Sequence, residues 1–496
     1  MSPALILLYL SDCLRYDRYS GAKKYEGRTT ESAVWSDKRD EGDCFMPEIK
    51  ERLQKAGINI IMSYIEKDPE KNLEKLLDGF DLFSNGSFAV QRKYFRKFLI
   101  DNPDSNWRKL AMRVLKEMHP RVLNKLVANF FLNANMIGWK KQEELRNKYN
   151  CNIPWAILLD PTSACNLHCT GCWAAEYGNR LNLSYEDIDS IIRQGKELGV
   201  YFYIYTGGEP LVRKKDIIRL CEEHDDCIFL SFTNGTLIDE AFANAMLRVG
   251  NFIPAISVEG FEEATDGRRG AGTFEKATGA MEILRSKRLP FGISACYTSQ
   301  NLESITSEAF YDQTVAWGAY FIWYFHYMPV GKDAVPELML TPEQREYIYH
   351  KIREYRQTKP IFGMDFQNDG EFTKGCIAGG RRYLHINANG DVDPCVFIHF
   401  SDSNIHEKTL LESLRSPLFQ AYHDNQPFND NHLRPCPMLE NPEILERIVK
   451  QTNAKSTDLE APESAEALCG RCKAYAENWK PTAEKLWSAS HPAKSK

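Results

Sequence analysis

Between residues 155 and 327 short apolar runs alternate with longer segments whose apolar positions recur every three or four residues. The runs Trp155–Leu159, Tyr201–Tyr205, Ile228–Phe232, Ala255–Val258, Phe291–Cys296 and Tyr320–Tyr327 have the length of buried strands. The segments between them, such as Tyr185–Leu198 and Glu240–Val249, carry helical spacing. Ser184, three residues before Asp187, supplies a capping-box start to the first of these helices. Six strand-helix units predict an α/β fold with a parallel sheet, either doubly wound or curved into a partial (β/α)6 TIM-like barrel. In both cases the functional loops follow the strand C-termini.

Upstream the pattern changes. Trp107, Leu110, Val114 and Met118 share one helical face, and after the breaker Pro120 a second set follows with Leu123, Val127 and Phe130. Residues 56–150 are therefore expected to form a helical domain, partly basic and amphipathic. Residues 91–126 hold ten Lys/Arg against three acids, a local balance of +7 (10 − 3). That is either a solvated helix face or a surface for an anionic membrane or acidic partner. Residues 1–55 show no sustained period and read as an irregular segment.

Composition narrows the class. The chain has 496 residues, 43% hydrophobic and 26% charged, with a formal charge of −6, so it is long enough for two or three modules and has no general attraction to nucleic acid. The apolar run at 4–10 is seven residues, too short to span a bilayer and without a signal-peptide pattern. A cytoplasmic location is expected, with peripheral membrane contact as the added option. Fourteen cysteines in such a chain point to metal binding or catalysis rather than disulfides.

Their spacing carries the chemistry. Cys165-x-x-x-Cys169-x-x-Cys172 directly follows the first strand, and three thiolates there can hold three irons of a 4Fe-4S cluster with the fourth iron open. A zinc site with His168 as fourth ligand and a plain electron-transfer cluster are the rival readings. Beyond the barrel, Cys376, Gly390, Cys395, Cys436 and the pair Cys469-x-x-Cys472 form a second set, with a hairpin turn around Asn387–Asp391. A zinc knuckle is the rival there. Cys13, Cys44, Cys151, Cys221 and Cys227 have no ligand spacing and read as packing thiols. Cys296, at the end of the fifth strand, points to the expected active face and is a weak candidate for hydrogen or proton donation. In the sixth strand either the Tyr/His or the Trp/Phe set lines the interior.

Several motifs in order make the chain resemble the radical S-adenosylmethionine (SAM) superfamily, and within it the members with a C-terminal SPASM or twitch extension. Thr206-Gly207-Gly208-Glu209-Pro210 matches the GGEP motif, where glycines admit close backbone approach and a carboxylate pairs with an ammonium. Asn234 follows the third strand. Ser257-Val258-Glu259-Gly260 stands where the family often has Ser-x-Asp-Gly, and Arg269-Gly270 follows it. The resemblance implies SAM contacts at Gly207, Gly208, Glu209, Asn234, Ser257, Glu259 and Arg269. The family's aromatic residue before the last loop cysteine is replaced by Gly171, and Trp173 is the candidate substitute.

The resemblance further implies a SAM-binding 4Fe-4S cluster on Cys165, Cys169 and Cys172. An auxiliary 4Fe-4S cluster is expected on Cys376, Cys395, Cys469 and Cys472, with Cys436 as an alternative ligand. The expected activity is reductive cleavage of SAM to a 5'-deoxyadenosyl radical that takes hydrogen from a substrate C–H bond, with a reduced flavodoxin or ferredoxin-type donor. Peptide or protein modification and lipid modification are the two substrate expectations. An electron carrier without SAM cleavage is the alternative. The module boundaries expected are 151–370 for the radical SAM core, 371–480 for the SPASM/twitch-like region and 481–496 for a tail.

Overall fold

The computed structural model describes residues 67–75, 95–174, 178, 180–331 and 333–491. The irregular segment 1–55, with Cys13, Cys44 and the apolar run at 4–10, lies outside the described residues, as do Arg92 and Lys93.

Seven parallel strands follow one another across a single sheet: β1 (Ala156–Leu159), β2 (Phe202–Tyr205), β3 (Ile228–Thr233), β4 (Phe252–Ser257), β5 (Gly292–Tyr297), β6 (Phe321–His326) and β7 (Phe362–Asp365). Helices occupy the crossovers, as a parallel sheet requires. Helix Tyr185–Glu197 begins with the expected capping box, Ser184 with Asp187, and helix Glu240–Val249 is capped by Asp239. β4 starts three residues before the expected run because Pro254 lies inside it. Pairing with β5 begins only at Ala255, so the missing N–H breaks no bond on that side.

The sheet does not stop at β1. β8 (Tyr383–Ile386) pairs in parallel with the free edge of β1, and β9 (Val392–Asp393) returns antiparallel through the expected turn at Asn387–Asp391. The order is therefore β7-β6-β5-β4-β3-β2-β1-β8-β9. This pairing brings the cysteine-rich C-terminal region beside the strand that leads into Cys165–Cys172.

The N-terminal helices close the opposite end. Helices Asn106–Glu117 and Pro120–Leu126, the π-helical stretch Val127–Gly138 and helix Trp139–Tyr149 pack against the segments that precede the strands. Arg113 donates to the carbonyls of Pro360 and Ala319, ahead of β7 and β6. Asn129 donates to the Asp225 and Cys227 carbonyls ahead of β3, and Gln142 to Gly199 ahead of β2. Gly138 and Gly199 meet backbone to backbone, for a β-carbon on Gly138 would fall 2.3 Å from the Gly199 carbonyl oxygen.

Leu110, Met118, Leu123, Val127 and Phe130 are buried in this contact. The apolar face expected to be available to a membrane is thus used against the barrel, and several of the basic residues anchor it there. Lys125 pairs with Asp225 at 2.8 Å, ahead of β3, whereas Lys116 pairs with Glu70 within the N-terminal region. Among the described residues no helix is long and apolar enough to cross a membrane.

At the other terminus, helix Ala465–Ser490 runs through Pro481 and across the boundary expected at residue 480. Proline removes one helical hydrogen bond. Trp479, Ala483 and Leu486, on both sides of it, are buried with Tyr349 and Leu433, and this packing carries the helix onward.

Candidate active site

The loops after the strand C-termini enclose one cavity of about 310 Å³. Cys165, Cys169 and Cys172 line it together with Cys376, Cys395 and Cys436, so both cysteine sets open into the same space. Phe232, Trp323, Phe325, Phe366 and Phe397 form an aromatic wall between them. In β6 Trp323 and Phe325 line the cavity, joined at the strand's end by His326, while Ile322 and Tyr324 are fully buried in the outer core.

The Cys165–Cys172 loop is tied down on both flanks. Asn234 donates to Asn166 Oδ1 at 2.8 Å and Asn166 donates to Thr236 Oγ1 at 2.8 Å, fixing its start to the end of β3. At its other half, Thr170 N–H donates to the Arg268 carbonyl at 2.9 Å and the Arg268 guanidinium donates back to the Thr170 carbonyl. The Cys165 sulfur accepts the Leu167 N–H at 3.5 Å. His168 is exposed and does not line the cavity. Burial pushes the Cys165 thiol up to about 11 and raises Cys169, the latter against the pull of Arg269 and Arg268.

Gly207 and Gly208 line the cavity where the loop after β2 crosses the start of the cysteine loop. Gly207 has φ +99°, and a β-carbon on Gly208 would come within 2.3 Å of the Ala164 carbonyl oxygen. Glu209 is buried and accepts three hydrogen bonds: from Leu211 N–H at 3.0 Å, Thr233 Oγ1 at 2.7 Å and Asn234 N–H at 2.8 Å. Burial pushes its carboxyl up against those donors. Glu209 therefore knits the ends of β2 and β3 as well as facing the cavity.

Glu259 does not line the cavity. Its carboxylate is taken up by Arg268 at 2.7 Å, by Arg269 at 2.6 Å and by the Cys296 N–H at 3.2 Å. Burial alone would raise it, but the two arginines outweigh burial and hold it below the usual carboxylate range. Those arginines, with Ser257 and Cys296, do line the cavity. Burial pushes the Cys296 thiol up to about 11. Arg268 was not among the expected site residues, although it adjoins Arg269 on the last turn of helix Glu262–Arg269.

Trp173 lines the cavity on the side of the C-terminal region, edge-on to His385, Phe397 and His399 at ring distances of 6.0 Å. Gly171, at φ +64°, lies against the ring of Tyr327, another cavity residue that the motifs did not single out.

The second cysteine set is divided. Cys376, Cys395 and Cys436 line the cavity, whereas Cys469 and Cys472 are buried within helix Ala465–Ser490 and do not. Among the described residues no three His, Cys, Asp or Glu side chains converge as ligands of a single ion. The donor chemistry fits iron-sulfur clusters: a short loop presents three thiols beside two arginines, which complements an anionic thiolate-ligated group.

Two family models match the chain: the radical SAM superfamily over residues 159–306 and the iron-sulfur cluster-binding SPASM domain over 376–438. The chain is similar to an AdoMet-dependent heme synthase of Methanosarcina barkeri, 26% identical over 53% of this chain and 82% of that protein. It is also similar to a PqqA peptide cyclase of Granulibacter bethesdensis, 26% identical over 49% of this chain and 67% of the relative. Among solved structures, Streptococcus suis SuiB bound to precursor peptide SuiA shares the fold at 20% identity and a TM-score of 0.50, covering 60% of this chain and 74% of that one. The chain belongs to the radical SAM superfamily, an enzyme that uses SAM and 4Fe-4S clusters and carries an iron-sulfur cluster-binding SPASM domain after its radical SAM domain.

Proposed function

We propose that this enzyme modifies a peptide by removing a hydrogen atom from a C–H bond that sits in the cavity between the two cysteine sets. The observation that carries the reading is that thiols from both sets, Cys165, Cys169 and Cys172 with Cys376, Cys395 and Cys436, line one aromatic-walled space. The similarity to a PqqA peptide cyclase gives the substrate class its support. The cavity suits an apolar or aromatic side chain presented by a longer chain.

When bound, the first cluster and SAM supply a 5'-deoxyadenosyl radical able to attack an unactivated C–H bond. Cys165, Cys169 and Cys172 hold that cluster. Gly207, Gly208 and Glu209 bind the amino end of SAM, and Asn234, Ser257 and Arg269 bind its ribose and carboxylate side. Glu259 acts one step back, holding Arg268 and Arg269 in place. Trp173 and the β6 aromatics exclude water from the reacting atoms. Cys296 remains a candidate hydrogen donor because it lines the same space. Asn166, His168 and Thr170 are exposed on the outer side of the cysteine loop, which is where a flavodoxin or ferredoxin-type donor would approach. The module boundaries that go with this reading are a helical cap, a radical SAM core to about residue 370 and the auxiliary region beyond it.

The test is deuterium transfer. The reconstituted enzyme, given dithionite, SAM and side-chain-deuterated candidate peptides, is expected to place deuterium in 5'-deoxyadenosine. SAM cleavage that never draws deuterium from a peptide, but does so from a lipid or porphyrin, overturns the peptide reading.

A further inference from the structure

We propose that Gln367 binds the substrate, its side-chain amide donating to a backbone carbonyl oxygen of the peptide whose side chain enters the aromatic-walled cavity. The inference rests on the peptide reading given above and adds to it a hydrogen-bonding group for the substrate's main chain.

Gln367 lines the cavity from the loop that follows β7 and is 2% exposed. Its Oε1 accepts the His326 backbone N–H at 2.9 Å. A donor must meet an acceptor there, so the amide cannot be turned round, and Nε2 is the end left over. That nitrogen carries two N–H groups. Among the described residues their one partner is the sulfur of Met328, another cavity residue, at 3.8 Å. A thioether is a weak acceptor. Buried amide donors are ordinarily paired with oxygen, and one left on sulfur beside a cavity has the capacity to take a ligand.

The polar neighbours are committed elsewhere. His326 also lines the cavity, but the Tyr327 carbonyl 2.8 Å from Nδ1 requires the ring proton there, and Nε2 then accepts the Tyr475 hydroxyl at 2.8 Å. Burial and the Arg345 charge push this histidine down to about 3, so the ring is neutral. Asp365 accepts from the Tyr297 hydroxyl at 2.9 Å and from the Asn368 side chain at 2.8 Å. Asp369 is held by Arg356 through two bonds and accepts the Asp365 N–H at 2.6 Å. These bonds fix the backbone on both sides of Gln367, so its amide is in place before a ligand arrives.

The surroundings select the ligand. Phe366, the preceding residue, belongs to the aromatic wall, with its ring centre 5.5 Å from Phe325 and 6.2 Å from Phe397. An apolar side chain lodged against those rings brings a peptide unit to the loop that carries Gln367. The donor is neutral, and residues 366–370 contain no Lys or Arg. A neutral carbonyl therefore suits it better than a carboxylate, whose burial needs an opposite charge.

The experiment titrates the reconstituted, SAM-loaded enzyme anaerobically with N-acetyl-phenylalaninamide, ethylbenzene and phenylpropionate, and reads binding by calorimetry. The wild type should bind the amide more tightly than phenylpropionate. In Gln367→Met, and in Gln367→Glu at about pH 8, where the new carboxylate only accepts, the affinity for the amide should fall about five- to tenfold. Affinity for ethylbenzene should stay as it was. Gln367→Glu keeps an oxygen for the His326 N–H and decides the matter where Gln367→Met melts lower than the wild type. No binding of the amide by the wild type, a preference for phenylpropionate, unchanged amide affinity in the variants, or equal losses for amide and ethylbenzene each overturn the proposal. Failure of the peptide reading shows in deuterium transfer, which does not enter these affinities.

Discussion

Gly171 lies against Tyr327: a β-carbon on Gly171 would sit 2.5 Å from the Tyr327 hydroxyl, which in turn accepts the Val335 N–H at 2.8 Å. A tyrosine ring from just after β6 therefore lies beside Gly171 and next to the last cysteine of the loop. Trp173 lines the same cavity, edge-on to His385 and Phe397.

Gly171→Ala should therefore be costly twice, through φ +64° and through the collision with Tyr327. Tyr327→Phe removes the nearest colliding atom, leaving ring carbons at 2.8 and 3.0 Å, and costs about 1 kcal/mol by leaving the Val335 N–H unpaired. In a double-mutant cycle read by chemical denaturation, the pair should be less destabilised than the sum of the singles by roughly 0.5 kcal/mol or more. Simple additivity would mean that the Tyr327 hydroxyl is not the atom that limits this space.

Breaking the Glu259 hub is expected to be worse. Glu259→Gln leaves Arg268 and Arg269 buried beside a neutral amide, and removing one partner of a buried ion pair costs about 3–5 kcal/mol. Because Arg268 also grips Thr170 in the cysteine loop, the variant should lose iron from the first cluster before it unfolds. Iron content against denaturant concentration checks the order of events.

How much of this was legible in the chain depends on the range of the interaction. Strands β1 to β6 announce themselves because each is a run of local apolar residues, and the Ser184 capping box is likewise local. β7 stays hidden, with only four residues and Gly363 inside it. The cysteine loop and Gly207–Glu209 are readable since consecutive residues carry their chemistry. Arg268, Tyr327 and the aromatic Phe397 come from elements far apart in sequence, and only the packing of the loops places them in the cavity. Glu259 was readable as a site residue but not as a support, because its partners are fixed by the fold of helix Glu262–Arg269. The basic helix read as a surface, since sequence cannot tell a docked amphipathic face from a free one.

That docked face gives a further expectation. Arg113→Ala removes guanidinium bonds to the Pro360 and Ala319 carbonyls. At about 1 kcal/mol for each hydrogen bond lost, stability should fall by roughly 2 kcal/mol, seen as a lower melting temperature. Binding to anionic vesicles should not change, because this charge already has its partners. A variant that melts normally but loses vesicle binding would restore the membrane reading.

His385 supplies a pH dependence. It lies 3.0 Å from Asp160 and 3.2 Å from Asp393, with His399 and Trp173 nearby. Burial opposes its charge, but the two carboxylates prevail and hold it at about 9. A raised histidine contributes its stability fully below its unfolded value of about 6.5 and loses it as pH rises through about 9. The cluster-loaded protein should therefore weaken between roughly pH 6.5 and 9, by an amount of order 1–3 kcal/mol. In His385→Gln that part of the slope should be absent. Equal slopes in the two proteins would show that His385 is not charged in the fold.

Glu209 separates a positioning role from a charge role. Its carboxylate accepts from Leu211, Thr233 and Asn234 at once, and those bonds join the end of β2 to the end of β3. Glu209→Gln keeps the shape but turns one acceptor into an N–H that faces another donor, so one bond is replaced by a repulsive contact. A loss of about 1–3 kcal/mol is expected for such a buried mismatch. Because Asn234 also holds Asn166 in the cysteine loop, the damage should reach the first cluster as a changed EPR signal of the reduced protein. Asn234→Ala removes the side-chain link to Asn166 but leaves the backbone N–H on Glu209, so it should alter the EPR signal with a smaller loss of stability. If Glu209→Gln weakens SAM binding while leaving both stability and the EPR signal as they were, the carboxylate serves the ligand directly and its bonds across β2 and β3 are incidental.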